Sequence, residues 1–161
     1  MWSFSSRWLF SLFTACLLSV LSIVPASAEE GRYGHLVSAS WLQENLADVV
    51  LLDASFAHLY KAGHIPCAVS AYNYGGQEPS RAVMEGRFQS WGISPGRKIV
   101  VYDKGGDWNA TRLFHDLYYY GIPAEDIFIL DGGLSKWQSL GGAISKETSP
   151  APIRGTFLIN K

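Results

Sequence analysis

Cysteine is scarce in this sequence: Cys16 and Cys67 are the only two among 161 residues. That excludes a disulfide-stapled scaffold, so packing has to supply the stability. Excess basic charge is also missing, since 13 Lys and Arg stand against 14 Asp and Glu for a formal net charge of -1. Duplex nucleic acid and an acidic membrane surface therefore meet no electrostatic footprint here. Internal repeats and low-complexity blocks are absent, which excludes solenoids and propellers. What remains is a chain with 48% apolar and 14% aromatic side chains, ordinary for a globular protein and long enough for one domain.

Acids are missing from the first 28 residues, where Arg7 is the one base. An apolar stretch runs from Trp8 to Val24 and is followed by Pro25-Ala26-Ser27-Ala28. A base, an apolar run and small residues before a cleavage point have the layout of a secretory signal. The 17 residues from Trp8 to Val24 reach about 25 Å as a helix, short of the roughly 30 Å hydrocarbon core. The expectation is a signal peptide over 1–28, cleaved after Ala28, and export to a periplasmic or secreted destination without stable membrane insertion afterwards. Without Arg7, 12 bases face 14 acids, and Cys67 is the one thiol left.

Gly and Pro divide the remainder into short alternating segments. Val49–Leu52, Ile99–Tyr102 and Ile127–Leu130 are continuous apolar runs rich in β-branched residues, as in strands covered on both faces of a parallel sheet; Leu36-Val37 and Ala68-Val69 are weaker strand candidates. Between them lie helical patterns: a segment with Trp41, Leu42 and Leu46 capped by Ser38 or Ser40, then Ser80–Trp91, Ala110–Tyr120 and Leu134–Leu140, the last three stopped by glycine. The alternation predicts a three-layer α/β domain over 29–148, with ligand loops at the carboxyl ends of a central, mostly parallel five-stranded sheet. Residues 149–161, with Pro150 and Pro152, read as a linker-like tail.

Two strand-end loops carry polar residues worth weighing. Asp53 ends the first run and is read either as a catalytic group or as the cap of the following turn. His64, between Gly63 and Ile65-Pro66, is read as a loop-ordering residue before a general base. The second loop is Asp103-Lys104-Gly105-Gly106-Asp107-Trp108-Asn109-Ala110-Thr111-Arg112. Paired glycines between a buried strand and a helix N-terminus turn N–H groups inward, the geometry that binds anions. The Gly-Lys-Ser/Thr ending of a phosphate loop is missing. With Asp103 and Asp107 in place, the loop reads as an anion cradle filled by its own carboxylate.

Gly63-His64-Ile65-Pro66-Cys67-Ala68, Ile99-Val100-Val101-Tyr102-Asp103 and Leu130-Asp131-Gly132-Gly133-Leu134-Ser135-Lys136-Trp137, in this order, resemble the rhodanese family of sulfurtransferases from about Leu36 to Gly142. The resemblance implies a rhodanese-like fold. It also implies a cysteine after the central strand that carries a persulfide, because a thiolate is both nucleophile and sulfur carrier. Asp103 stands at that position, and a carboxylate cannot carry a transferable sulfur. The closest likeness is to the non-catalytic first half of tandem thiosulfate/3-mercaptopyruvate sulfurtransferases. Its implied partner is a cysteine-bearing rhodanese domain in cis or trans, with a small sulfur anion as ligand and neither metal nor cofactor.

Arg112 resembles an arginine at the start of the helix in such domains, and is expected to pair with Asp103 or Asp107 or to cap local carbonyls. Cys67 stands where the family carries Gly and is expected to be a small buried residue, with a reactive thiol as the alternative. Trp108 on a Gly-rich tip is costly to leave in water and is expected to meet another domain or a partner. One of the three tyrosines Tyr118-Tyr119-Tyr120 is expected to stay exposed. A stand-alone binding module that holds a small anion or a protein with the 104–112 loop is the competing reading, and a free-standing enzyme that uses Cys67 is a third.

Overall fold

The computed structural model describes residues 31–72 and 79–160; the signal peptide, its cleavage point and Cys16 lie outside them. Six strands, β1 (Arg32–Tyr33), β2 (Leu36–Val37), β3 (Val49–Asp53), β4 (Val69–Ser70), β5 (Lys98–Tyr102) and β6 (Ile127–Leu130), form one sheet in the order β1-β2-β6-β5-β3-β4. Every pairing is parallel except β1 with β2. The sheet is thus six-stranded where five strands were expected. The extra strand is a two-residue antiparallel edge that returns through Gly34-His35, too short to leave a periodic signal.

Among the described residues five α-helices cover the faces: α1 (Ala39–Asn45), α2 (Ala57–Ala62), α3 (Arg81–Ser90), α4 (Asn109–Tyr119) and α5 (Gly133–Ser139). Ser38 rather than Ser40 caps α1, its hydroxyl accepting the Trp41 N–H at 3.1 Å. All five residues of β3 are buried, as a strand with helices on both sides must be. Alternate side chains feed two cores. Leu52, Ile99, Val101 and Ile127 pack with Met84 and Phe88 of α3 and Leu113 and Leu117 of α4. Leu51, Val100, Tyr102 and Phe128 pack with Trp41, Tyr60 and Trp137 of α1, α2 and α5.

The segment after Ser149 holds no helix or strand, yet it is bound to the domain. Phe157 and Ile159 are buried in the α3/α4 core, while Thr156 and Leu158, which alternate with them, face out. Main-chain bonds run from Gly155 N–H to Gln89 O at 2.8 Å and from Phe157 N–H to Ile93 O at 3.2 Å. Gly155 is required for this approach, because a Cβ there would stand 1.9 Å from the Ile93 carbonyl oxygen. Among the tyrosines, Tyr118 and Tyr119 are exposed and Tyr120 is half-buried beside Phe88. Two are exposed where one was expected, because the helix turns only one of three successive positions toward the core.

If residues 155–159 are part of the core, Phe157→Ala should cost about 3 kcal/mol of stability in urea unfolding. A loss below about 0.5 kcal/mol, the range of an ordinary surface change, would mean that the strap contributes nothing.

Candidate functional site

The carboxyl ends of β3, β4 and β5 meet the N-terminus of α4, and the loop from Asp103 to Trp108 lies between them. Gly105 and Gly106 have φ of +102° and +75°, values open to glycine at little cost. That path turns the backbone back on Asp103, whose side chain is 4% exposed. Its Oδ1 accepts the Gly105 N–H at 2.8 Å and its Oδ2 accepts the Ala110 N–H, in the first turn of α4, at 2.9 Å. Such charge-assisted bonds at the positive end of a helix satisfy donors that would otherwise be orphaned. The carboxylate therefore sits where the loop's N–H groups would hold an external anion.

The Asp131–Ser135 turn holds the loop from below. Leu134 N–H donates to Asp103 O at 2.8 Å, and the Ser135 N–H and hydroxyl both donate to Lys104 O, at 3.0 and 2.6 Å. Gly133 makes this possible, since a Cβ there would lie 2.6 Å from Asp103 O. Lys104 itself is exposed. Asp107 faces solvent and accepts the Trp108 N–H at 2.8 Å and the Asn109 amide N–H at 2.9 Å. Backbone N–H groups and the Asn109 side chain thus bond Asp103 and Asp107. The Arg112 guanidinium carbon lies 5.7 Å from the centre of the Trp108 ring, in cation–π range.

Trp108 is 62% exposed, and it borders a depression of about 150 Å³ lined also by Phe56, Tyr72, Asn109 and Arg112. Phe56 and Tyr72 are themselves partly exposed, with ring centres 4.7 Å apart. These two residues were not singled out in the sequence. Their signal was positional: each follows the end of a parallel strand, where α/β sheets gather ligand loops.

The other candidates lie elsewhere. Asp53 is fully buried and accepts the Ser55 N–H at 2.8 Å, capping its turn. Burial raises its pKa above the ordinary carboxylate range, against the pull of Ser55, Tyr102 and His64. His64 is fully buried, with its ring stacked 3.8 Å from that of Tyr60, Nδ1 at 2.9 Å from Tyr60 O and its main chain paired to Ser145. Cys67 is exposed, not buried as expected. Its φ of +67° explains why a glycine would suit the turn, and the turn directs the thiol outward at the sheet edge.

Comparison with known proteins gives a consistent answer. The profile of the rhodanese-like domain matches residues 38–140. The thiosulfate/3-mercaptopyruvate sulfurtransferase 2 of Arabidopsis thaliana is 31% identical over 134 residues, which cover 71% of this chain and 39% of that protein. A probable 3-mercaptopyruvate sulfurtransferase of Pseudomonas aeruginosa is 28% identical over 138 residues, 71% of this chain and 48% of its own. The chain thus spans less than half the length of these relatives. Among solved structures, the SseA 3-mercaptopyruvate sulfotransferase of Escherichia coli superposes with a TM-score of 0.68 at 25% identity, over 79% of this chain and 57% of that one.

The two carboxylates in the loop differ in burial, and their removal should separate them. Asp103→Ala strands two N–H donors and should cost about 2 kcal/mol or more in denaturant unfolding, whereas Asp107→Ala should cost about 1 kcal/mol or less. Equal costs would contradict the assignment of Asp103 as the group that fills the cradle.

Proposed function

The chain belongs to the rhodanese-like domain family, and from that premise we propose that it is the non-catalytic domain of an exported sulfurtransferase of the thiosulfate/3-mercaptopyruvate type. The observation that carries this reading is Asp103, whose two carboxylate oxygens take the Gly105 and Ala110 N–H groups. Sulfur transfer by a persulfide needs an atom that attacks the donor sulfur, keeps it covalently and then releases it to an acceptor. A carboxylate has no such atom, and here it also occupies the donors that would stabilise a thiolate or a bound anion.

The domain's contribution is then a wall. Trp108, Phe56 and Tyr72 present an aromatic face around the depression beside Arg112, a surface suited to be covered by a cysteine-bearing rhodanese domain in cis or trans with a small sulfur anion between them. The span of this chain, under half of the relatives it matches, supports a second domain as that partner. Export rests on the n-region, h-region and small residues of 1–28. The competing binding-module reading uses the same depression, with Arg112 and Asn109 holding a small anion without any transfer.

Thiosulfate-to-cyanide sulfur transfer tests the proposal. The purified chain should show no turnover above the uncatalysed rate, and Cys67→Ser should change nothing. Turnover by this chain alone that disappears in Cys67→Ser would overturn the reading, because the exposed thiol would then be the nucleophile.

A further inference from the structure

The amino-terminal half of β3 lacks a strand partner on the β4 side among the described residues, at the other end of the strands from the Trp108 depression. β4 meets β3 only at Leu52↔Val69 and Asp53↔Ser70, whereas β5 accompanies β3 from Val49 to Asp53. Val49, Val50 and Leu51 therefore have no neighbouring strand on the β4 side among the described residues. The Ala71 N–H bonds to Asp53 O, which places the Asp53 carbonyl on that side. By the two-residue repeat of a strand, Leu51 and Val49 direct main-chain groups the same way. An edge of this kind is a ready template for another strand.

A groove of about 390 Å³ runs along this edge. It shares no lining residue with the Trp108 depression, and its walls include Cys67, Trp91, Arg97, Pro152 and Arg154. Among the described residues, its charged lining residues are the two arginines, with no acid beside them. Both are exposed. Arg154 donates to the Gln89 side-chain oxygen at 2.7 Å, which fixes its head at the rim while other guanidinium N–H groups stay available. Apolar walls, an open strand edge and positive charge together describe the recognition of an extended peptide.

We propose that this groove accepts an acidic peptide segment of a partner protein in extended form. The segment adds to the β3 edge through main-chain hydrogen bonds over about 10 Å, three residues of strand, and sets carboxylates against Arg97 and Arg154. The site does not depend on the sulfur-transfer reading, since it lies at the amino-terminal end of β3, whereas Asp103 follows the carboxyl end of β5. A free dicarboxylate would satisfy the arginines and leave the edge unpaired, so the two ligands are separable.

The test titrates a fluorescein-labelled Glu-Val-Glu-Val-Glu peptide into the full chain and follows anisotropy, with alkylation of Cys67 by iodoacetamide as a second readout inside the groove. Saturable binding is expected, weakened about tenfold or more in the double variant Arg97→Glu/Arg154→Glu. Bound peptide should slow Cys67 alkylation, and N-methylation of alternate peptide amides should abolish binding. The proposal is overturned by lack of saturation up to about 1 mM, by equal binding of Lys-Val-Lys-Val-Lys, or by binding that ignores N-methylation, which would indicate a free-anion site. If the double variant does not fold, the N-methyl comparison and Cys67 protection in the parent chain decide the matter.

Discussion

The carboxylate of Asp103 between the Gly105 and Ala110 N–H groups is the contact on which the candidate site depends. A strand-to-helix turn at this place leaves several main-chain donors aimed at one point. Something with negative charge must fill that point or the donors stay unsatisfied at a cost of roughly 1–3 kcal/mol each. Here the chain fills it from within. The glycines at 105, 106 and 133 and the bonds from Leu134 and Ser135 all serve to hold the loop in the one path that lets a side chain only two residues from Gly105 reach its N–H.

The same contact links structure to chemistry. A rhodanese-like domain with sulfur at this position would use the N–H groups to favour a thiolate. With the Asp103 carboxylate there, both N–H groups are taken by oxygen, and a carboxylate carries no transferable sulfur. The loop keeps its shape because the carboxylate satisfies the geometry, and the exposed aromatic face of Phe56, Tyr72 and Trp108 keeps its place because the loop does. On the function proposed above, the scaffold is retained without its nucleophile, the state suited to a domain that shapes a site for another.

Much of this was legible before any coordinates. Val49–Leu52, Ile99–Tyr102 and Ile127–Leu130 announced buried parallel strands because strands covered on both faces have no polar side, and the ordered motifs around Cys67, Asp103 and Asp131–Trp137 pointed to the fold. The Asp103 cradle was readable from the position of paired glycines between strand and helix. β1 was not, because two residues in a hairpin edge leave no period. The strap of Gly155, Phe157 and Ile159 is obscured by Pro150 and Pro152, which mark a connector as readily as an extended segment; the apolar run Phe157-Leu158-Ile159 is its one sequence signal. Cys67 was misjudged because a glycine-like position was equated with burial, whereas its left-handed backbone, not lack of space, is what favours glycine there.

Hydrogen exchange at the two amides that face Asp103 measures the central contact directly. With the carboxylate in place, the Gly105 and Ala110 N–H groups should exchange as slowly as interior amides, and thiosulfate should leave their rates unchanged. Exchange of both as fast as a solvent-exposed loop amide would show that the cradle is open to an external anion and that Asp103 does not fill it.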